Sequence, residues 1–161
     1  MSNILVAYFS ATGTTKRAAK GLAEALGADT FEIVPQTPYT STDLNWSDST
    51  SRSTSEMNDE ASRPPISGTV DDMDSYDAVF VGFPIWWYTE PCIIDTFLES
   101  YDFSGKTIVP FATSGGSGLG KAPERMQRIA TGSTVAAGRL LNGHQDPNDL
   151  RDWAQRLGLM R

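Results

Sequence analysis

The chain has 161 residues, of which 39% are hydrophobic and 20% charged, and its net charge at pH 7 is -7. That length suits one ordinary domain with a substantial core, and the composition excludes a disordered or fibrous protein. The acidic excess excludes a nucleic-acid partner, because contacts to phosphates need clustered Lys and Arg. We expect a single domain over residues 1–161 that works as a monomer.

The sequence predicts neither export nor membrane insertion. Its start, MSNILVAYFS, has neither a basic leader nor a cleavage site, and no apolar run approaches the ~20 residues that cross a bilayer. A single cysteine, Cys92, excludes an intramolecular disulfide. We therefore expect a cytoplasmic protein without a membrane partner.

The first part of the chain predicts a strand, a helix and a second strand. NILVAYFS, residues 3–10, is apolar without alternation, which is typical of a strand buried on both faces. In TTKRAAKGLAEALG, small and apolar residues recur at helical spacing, and Gly27 occupies the position of a helix C-cap. DTFEIVP, residues 29–35, predicts a half-buried strand.

The middle of the chain breaks this rhythm and then resumes it. Residues 40–69 are rich in Ser, Thr, Asp and Asn, which predicts either a solvated helix or an ordered loop. YDAVFVGFP, residues 76–84, predicts a third strand that Gly82 and Pro84 close. Pro91 then opens a helix in PCIIDTFLESY, because its fixed φ suits a first helical turn.

The last part contains two more strands and two helices. KTIVPFAT, residues 106–113, predicts the fourth strand, a helix follows near APERMQRIA, and STVAAGRLL predicts a weaker fifth strand. The final helix begins behind Asp146, as its N-cap, and Pro147. Five strands alternating with helices indicate an α/β fold, a doubly wound open parallel sheet with helices on both faces.

Unusual residues follow the first, third and fourth predicted strands. The three loops read SATGTT, PIWWYTEP and TSGGSGLG. Ligands of an open α/β sheet bind beyond the carboxyl ends of its strands, and these loops all lie at that edge. Together they predict one ligand site.

SATGTT places four small hydroxyl side chains around Gly13, namely Ser10, Thr12, Thr14 and Thr15. A helix start offers free N–H groups and the positive end of its dipole, and glycine permits close approach of the backbone. Such a cradle of mostly neutral donors suits a phosphate monoester. The alternative is that the hydroxyls only cap the helix.

PIWWYTEP and TSGGSGLG would form the other sides of the site. Trp86, Trp87 and Tyr88 offer aromatic surface for a flat heterocycle. One tryptophan is expected in the core, because neighbouring side chains of an extended segment face opposite ways. The glycines of TSGGSGLG either let main-chain N–H groups approach a ring or form a flexible turn without a ligand. Glu90 lies close in sequence to this site.

The three segments resemble those of flavodoxins, specifically the small bacterial flavodoxin-like proteins, over nearly the whole chain. YFSATGTTKRAA resembles the family's FMN-phosphate loop, GFPIWWYTEPCIIDTFLES its first flavin-flanking loop with the following helix, and PFATSGGSGLG its second. The resemblance implies the strand order 2-1-3-4-5 and a noncovalently bound FMN. The FMN phosphate would contact Ser10, Thr12, Gly13, Thr14 and Thr15. The isoalloxazine would lie against Pro84, Ile85, Trp86, Trp87, Tyr88, Thr113, Ser114, Gly115, Gly116, Ser117 and Gly118.

The resemblance also implies an electron-transfer protein that passes electrons singly through FMN between redox partner proteins. The alternative is an FMN-dependent NAD(P)H:quinone-type oxidoreductase, in which the aromatic residues of PIWWYTEP would form a substrate platform. Residues 43–102 hold nine Asp and four Glu against Arg52 and Arg63, a local net charge of -11. That surface would attract a basic partner protein or serve only to keep the protein in solution.

Other chemistries find little support. GGSGLGKA, residues 115–122, begins like a P-loop, but Ala122 offers no hydroxyl to magnesium. The sequence contains no acid–base dyad or metal-ligand cluster. His144 is expected in a surface loop. Cys92 stands at a helix start, which lowers thiol pKa values, but is expected to be a small packed residue.

Overall fold

A computed structural model describes residues 3–11, 13–45, 47–59, 61–86, 89–113, 118–143 and 145–159. The strands are β1 Ile4–Tyr8, β2 Asp29–Glu32, β3 Val34–Pro35, β4 Ile66–Ser67, β5 Ala78–Pro84, β6 Thr107–Thr113, β7 Thr134–Val135 and β8 Arg139–Leu140. The helices are α1 Thr14–Leu26, α2 Arg52–Met57, α3 Cys92–Glu99, α4 Ala122–Ile129 and α5 Pro147–Arg156, with a 3-10 helix at Met73–Ser75.

Six strands form one parallel sheet. Its order is β2-β1-β5-β6-β7, and β8 also pairs with β6. Because β7 and β8 both flank β6, they share the fifth position of the sheet. The predicted doubly wound α/β fold and its strand order 2-1-3-4-5 are therefore confirmed.

The fifth strand position is divided opposite Pro110 of β6. The carbonyls of Ile108 and Ala112 accept hydrogen bonds from Ala136 N and Leu141 N, at 2.9 and 2.8 Å. Pro110 lies midway between them and faces the same neighbour, but it has no N–H to donate. The weaker strand predicted in STVAAGRLL is accordingly two short segments.

Helices cover both faces of the sheet. Residues of α1 and α5 pack with Ile4, Val6 and Phe80 in one core cluster. Residues of α3 and α4 pack with Leu5 and Val79 in the other. Alternate residues of β1 and β5 thus serve two cores, which explains why these strands are apolar throughout. Within the described ranges, no helix is long and apolar enough to cross a membrane.

Gly82 lies inside β5, so the prediction that it closes this strand is wrong. A Cβ atom built on Gly82 would lie 2.2 Å from Phe111 Cζ, because the ring of Phe111 occupies that space. β5 continues to Pro84, the other residue predicted to close it.

The predicted helix boundaries are nearly correct. Gly27 is the left-handed C-cap of α1, with φ 64°. Asp146 is the N-cap of α5, and its side chain accepts a hydrogen bond from Asn148 N. α3 begins at Cys92, so Pro91 is its N-cap instead of part of its first turn.

Residues 40–69, which we call the insertion, combine both predicted alternatives. Within them α2 is a short helix whose N-cap, Ser51, accepts a hydrogen bond from Thr54 N. Most of the rest is loop. Near its end β4 pairs antiparallel with β3, with Val34 beside Ser67. The insertion is therefore tied to the chain that follows β2.

Candidate functional site

The loop after β1 curls back on itself at the start of α1. Phe9 N donates to Gly82 O at 2.9 Å, which continues the β1–β5 pairing past the end of β1. Ser10 Oγ then accepts a hydrogen bond from Gly13 N at 3.0 Å. Gly13 has φ 96°, a left-handed conformation that glycine adopts without strain. The chain enters α1 directly at Thr14.

The first turn of α1 keeps main-chain donors available for an anion. Among the described residues, no side chain caps this helix and no acidic residue stands in its first turn. The first N–H groups of a helix have no partner within it, and the helix dipole makes this end positive. Lys16, in this first turn, pairs with Glu32 at 3.5 Å. This largely neutral set of donors fits a phosphate group.

The three predicted loops meet behind this turn. Thr15 Oγ1 and Thr113 Oγ1 lie 2.7 Å apart, and both residues are buried. Ile85 N donates to Thr113 O at 3.0 Å. The first turn of α1, the end of β6 and the chain after β5 therefore converge at the carboxyl edge of the sheet. Pro84, the last residue of β5, lies half-buried at this same point.

A tight turn follows β5. Trp86 N donates to Thr89 O at 3.0 Å, and Thr89 N donates to Trp86 O at 3.2 Å. The Trp86 ring packs edge-on against Phe9 and Tyr39, with ring centroids 5.7 and 5.4 Å apart. Trp86 is thus partly buried and packs against the core, as expected for one of the pair.

Tyr39 belongs to an interacting group of residues from the insertion and the chain before it. Its hydroxyl donates to Glu56 Oε1, and the guanidinium of Arg52 lies 3.9 Å from its ring centroid. Arg52 Nε also donates to Glu56 Oε2 at 2.9 Å. Burial and the hydrogen bond to Glu56 raise the pKa of Tyr39 well above its usual range. The insertion thereby supports Trp86 from outside the sheet.

Several predicted site residues lie outside the described residues: Thr12, Trp87, Tyr88, Ser114, Gly115, Gly116 and Ser117. Their contacts with FMN stay predictions, as does the choice of the residue that stacks on the flavin. His144 lies outside the described residues as well. Gly118 is exposed and lies between β6 and α4.

A buried cluster of charges behind the turn was not predicted. Glu90 and Asp95 are fully buried, and Arg125 of α4 is 7% exposed. Arg125 Nη2 donates to Asp95 Oδ2 at 2.5 Å, and Arg125 Nε lies 3.5 Å from Glu90 Oε2. Burial is the main cause that raises the pKa of Glu90, to about 9. Only Glu90 carried a sequence signal, since helical Asp and Arg residues are usually solvated.

Cys92 is packed, as expected. It is 1% exposed, and its thiol donates to Glu56 O at 3.3 Å. Burial raises its pKa despite its place at the start of α3. The thiol therefore connects α3 to the end of α2 and is not activated.

A separate groove of about 670 Å³ opens between α1 and α5. Arg17, Glu24 and Arg151 line it, together with Gly143 of the loop before α5. Among the residues that the structure describes, its lining shares only Thr14 with the predicted site residues. We therefore treat it as a surface depression beside the site.

A family model described as flavodoxin matches residues 3–157. A solved structure of a candidate flavoprotein from Bacteroides eggerthii is 47% identical, with a TM-score of 0.94, and the match covers 98% of this chain and 99% of that one. A second, from Bacteroides uniformis, is also 47% identical, with a TM-score of 0.89 and coverage of 96% and 98%.

More distant structures share the fold. A flavoprotein from Lactobacillus acidophilus, solved in complex with FMN, is 21% identical, with a TM-score of 0.74 and coverage of 96% and 99%. No curated protein matches the chain.

Proposed function

The chain belongs to the flavodoxin family, and we propose that it binds FMN noncovalently and passes electrons singly between redox partner proteins. The observation that carries this proposal is the uncapped start of α1, which lies where the chain after β5 and the end of β6 meet. A phosphate site at the start of α1 and a ring site along the chain after β5 would therefore be adjacent. The Lactobacillus relative solved with FMN adds support from the same fold.

The residues at the start of α1 fit the phosphate of FMN. Main-chain N–H groups of Thr14, Thr15 and Lys16 are without helical partners, and hydroxyls of Ser10, Thr12 and Thr14 would add donors. The Thr15 hydroxyl is bonded to Thr113, so its N–H is the group that remains for the phosphate. Neutral donors hold the anion without a fixed cation.

The chain after β5 would form a wall for the ring. Ile85 is anchored to Thr113, and Trp86 packs inward on Phe9, so this segment is held without contribution from a ligand. Trp86, Trp87 and Tyr88 are the aromatic residues predicted to lie against the isoalloxazine, and which of them stacks on it stays a prediction. When bound, FMN supplies the redox chemistry, and the protein sets access and orientation.

We propose that the redox partner is basic and docks at the carboxyl edge of the sheet. Exposed Asp59 of the insertion belongs to this edge, because its carbonyl faces Cys92 at the start of α3. Asp71, Asp72 and Asp74 precede β5 and therefore lie at the opposite edge. A strand of this length spans about 20 Å, more than twice the ~8 Å over which salt screens charge. Those aspartates would contribute little to docking.

The test is retention of FMN against riboflavin, which lacks the phosphate. Protein incubated with each and freed of excess should keep the absorption bands of FMN and lose those of riboflavin. Thr14→Glu places a carboxylate at the proposed phosphate position and should abolish FMN retention without loss of folding, because an acid is favourable in a first helical turn. Thr131→Glu, the same change at an exposed position before β7, should retain FMN.

Equal retention of FMN and riboflavin would contradict the phosphate site, and no retention of either would contradict the proposal itself. Steady NAD(P)H oxidation with a quinone by the purified holoprotein would favour the reductase alternative. Reduction only through a partner reductase supports the carrier.

A further inference from the structure

The turn at Trp86–Thr89 is joined directly to buried carboxyl groups. Thr89 is 9% exposed, and its hydroxyl donates to Glu90 Oε1. Glu90 then precedes α3, whose Asp95 shares Arg125 with it. The predicted ring-binding turn and a buried acid are therefore adjacent in the chain and connected by a hydrogen bond.

The charges of this cluster do not balance if both acids are ionised. Arg125 is the buried cation, and Asp95 takes its close ion pair. Arg63 Nη1 lies 4.0 Å from Asp95 Oδ2, but Arg63 Nε and Nη2 bind the carboxylate of Glu99 at 2.9 and 3.1 Å. An ionised Glu90 would add an uncompensated buried charge, which the folded state tolerates poorly.

A single proton on Glu90 also supplies a hydrogen-bond donor for buried carboxyl oxygens that have no partner in the described part of the chain. Glu90 Oε2 and Asp95 Oδ1 are buried and have no hydrogen-bond partner among the described atoms. The Thr89 hydroxyl already serves Glu90 Oε1, so Oε2 is the oxygen left to carry a proton. Besides burial, Asp95 also raises the pKa of Glu90 through a hydrogen bond and its charge, so a protonated Glu90 would donate where an ionised one would repel Asp95.

We propose that Glu90 and Asp95 share one proton at neutral pH, and that this proton makes Glu90 a positioning residue that holds the Trp86–Thr89 turn in shape for the flavin. Loss of the proton leaves an uncompensated negative charge on Glu90, behind the turn. The turn then opens so that water can solvate this carboxylate. The part that concerns the flavin depends on the proposed function, whereas the shared proton does not.

Other groups around the pair do not replace this proton. The thiol of Cys92 lies 3.7 Å from Arg125 Nη2, and burial raises its pKa, so it stays neutral beside the pair. Glu56 is engaged with Arg52 and Tyr39, and Glu99 with Arg63. The pKa of Asp95 is raised by burial, although Arg125 opposes that effect.

The first test uses the protein without FMN. The folded protein keeps a proton on Glu90 between pH 4.5, its ordinary pKa, and about 9, whereas the unfolded chain has released it. Stability attributable to this group therefore falls as pH rises through that window. Glu90→Gln mimics the protonated acid, so its melting temperature should exceed that of the wild type by an amount that grows from pH 5 to pH 9.

The matched control is Glu24→Gln, the same change at an exposed position on α1. The melting temperature of this control should differ from that of the wild type by the same amount at every pH. A melting-temperature difference for Glu90→Gln that does not change with pH would overturn the shared proton. If Glu90→Gln does not fold, infrared spectra of the wild type decide. The carbonyl band of a protonated carboxyl group should persist at pH 7 and fade above pH 9; its absence at pH 7 overturns the proposal.

The second test measures FMN affinity from pH 7 to pH 9.5. If only the protonated form holds the turn, the Kd of the wild type should rise about fourfold at pH 9.5, in inverse proportion to the protonated fraction. Glu90→Gln should show no such rise between pH 7 and pH 9.5. An equal rise in both proteins would overturn the positioning role. FMN binding that fails at every pH would contradict the proposed function alone.

Discussion

The loop after β1 and the turn after β5 lie side by side but are built in opposite ways. The loop after β1 owes its local shape to a bond within itself, from Gly13 N to Ser10 Oγ, and to a glycine with left-handed φ, and Thr15 joins it to Thr113 of β6. The turn after β5 depends on distant residues. Tyr39 packs on Trp86, and Arg125 lies behind Glu90.

This difference shows that different interactions hold the two parts of the proposed site. A phosphate needs only uncharged N–H groups, which any helix start supplies. A flat ring needs a wall held at a set position, and here packing and buried charge from the insertion, α3 and α4 hold it. Substitutions in the loop after β1 should therefore have local effects, whereas substitutions far from the turn after β5 should also disturb that turn.

Arg125→Met should have the largest effect. It leaves the buried carboxylate of Asp95 without its ion pair, which costs about 3–5 kcal/mol of unfolding free energy. Urea denaturation measures the loss, and hydrogen exchange should show less protection at Trp86 and Thr89 but not at Gly13. Arg156→Met is the control, since its ion pair with Asp152 is exposed and should contribute nothing measurable. Unchanged exchange at Trp86 would contradict the dependence of the turn on distant charges.

Thr15→Val should have an intermediate effect, because it cuts the one described hydroxyl contact between the first loop and β6. The buried hydroxyl of Thr113 loses its partner, at a cost of about 1–3 kcal/mol in unfolding free energy. Adding Thr113→Val removes the orphaned group, so the double variant should regain most of the loss. A double variant as unstable as the sum of both single ones would show that the hydroxyl pair is not the cause.

Gly13→Ala should have the smallest effect on stability, about 1 kcal/mol, because alanine is strained at φ 96° although no atom obstructs its Cβ. Thermal unfolding measures this loss. Gly21→Ala, within α1 and also open, should instead stabilise the protein by about 0.5–1 kcal/mol. Equal changes for both variants would mean that the conformation of Gly13 imposes no constraint.

The sequence alone was sufficient where short-range chemistry decides. The parallel sheet follows from apolar strands alternating with amphipathic helices, its strand order was implied by the resemblance to flavodoxins, and Gly27 and Asp146 occupy the predicted caps. The phosphate role of the loop after β1 stays a prediction, although Gly13 and Ser10 do interact within this loop.

Only the tertiary structure decided what depends on residues far apart in the chain. Pro110 divides a strand that begins 24 residues later, and Phe111 requires a glycine at position 82 of another strand. Glu90 becomes a buried acid because α4 brings Arg125 beside it. Local patterns record propensity and period, whereas burial and charge balance arise only when separate elements pack together.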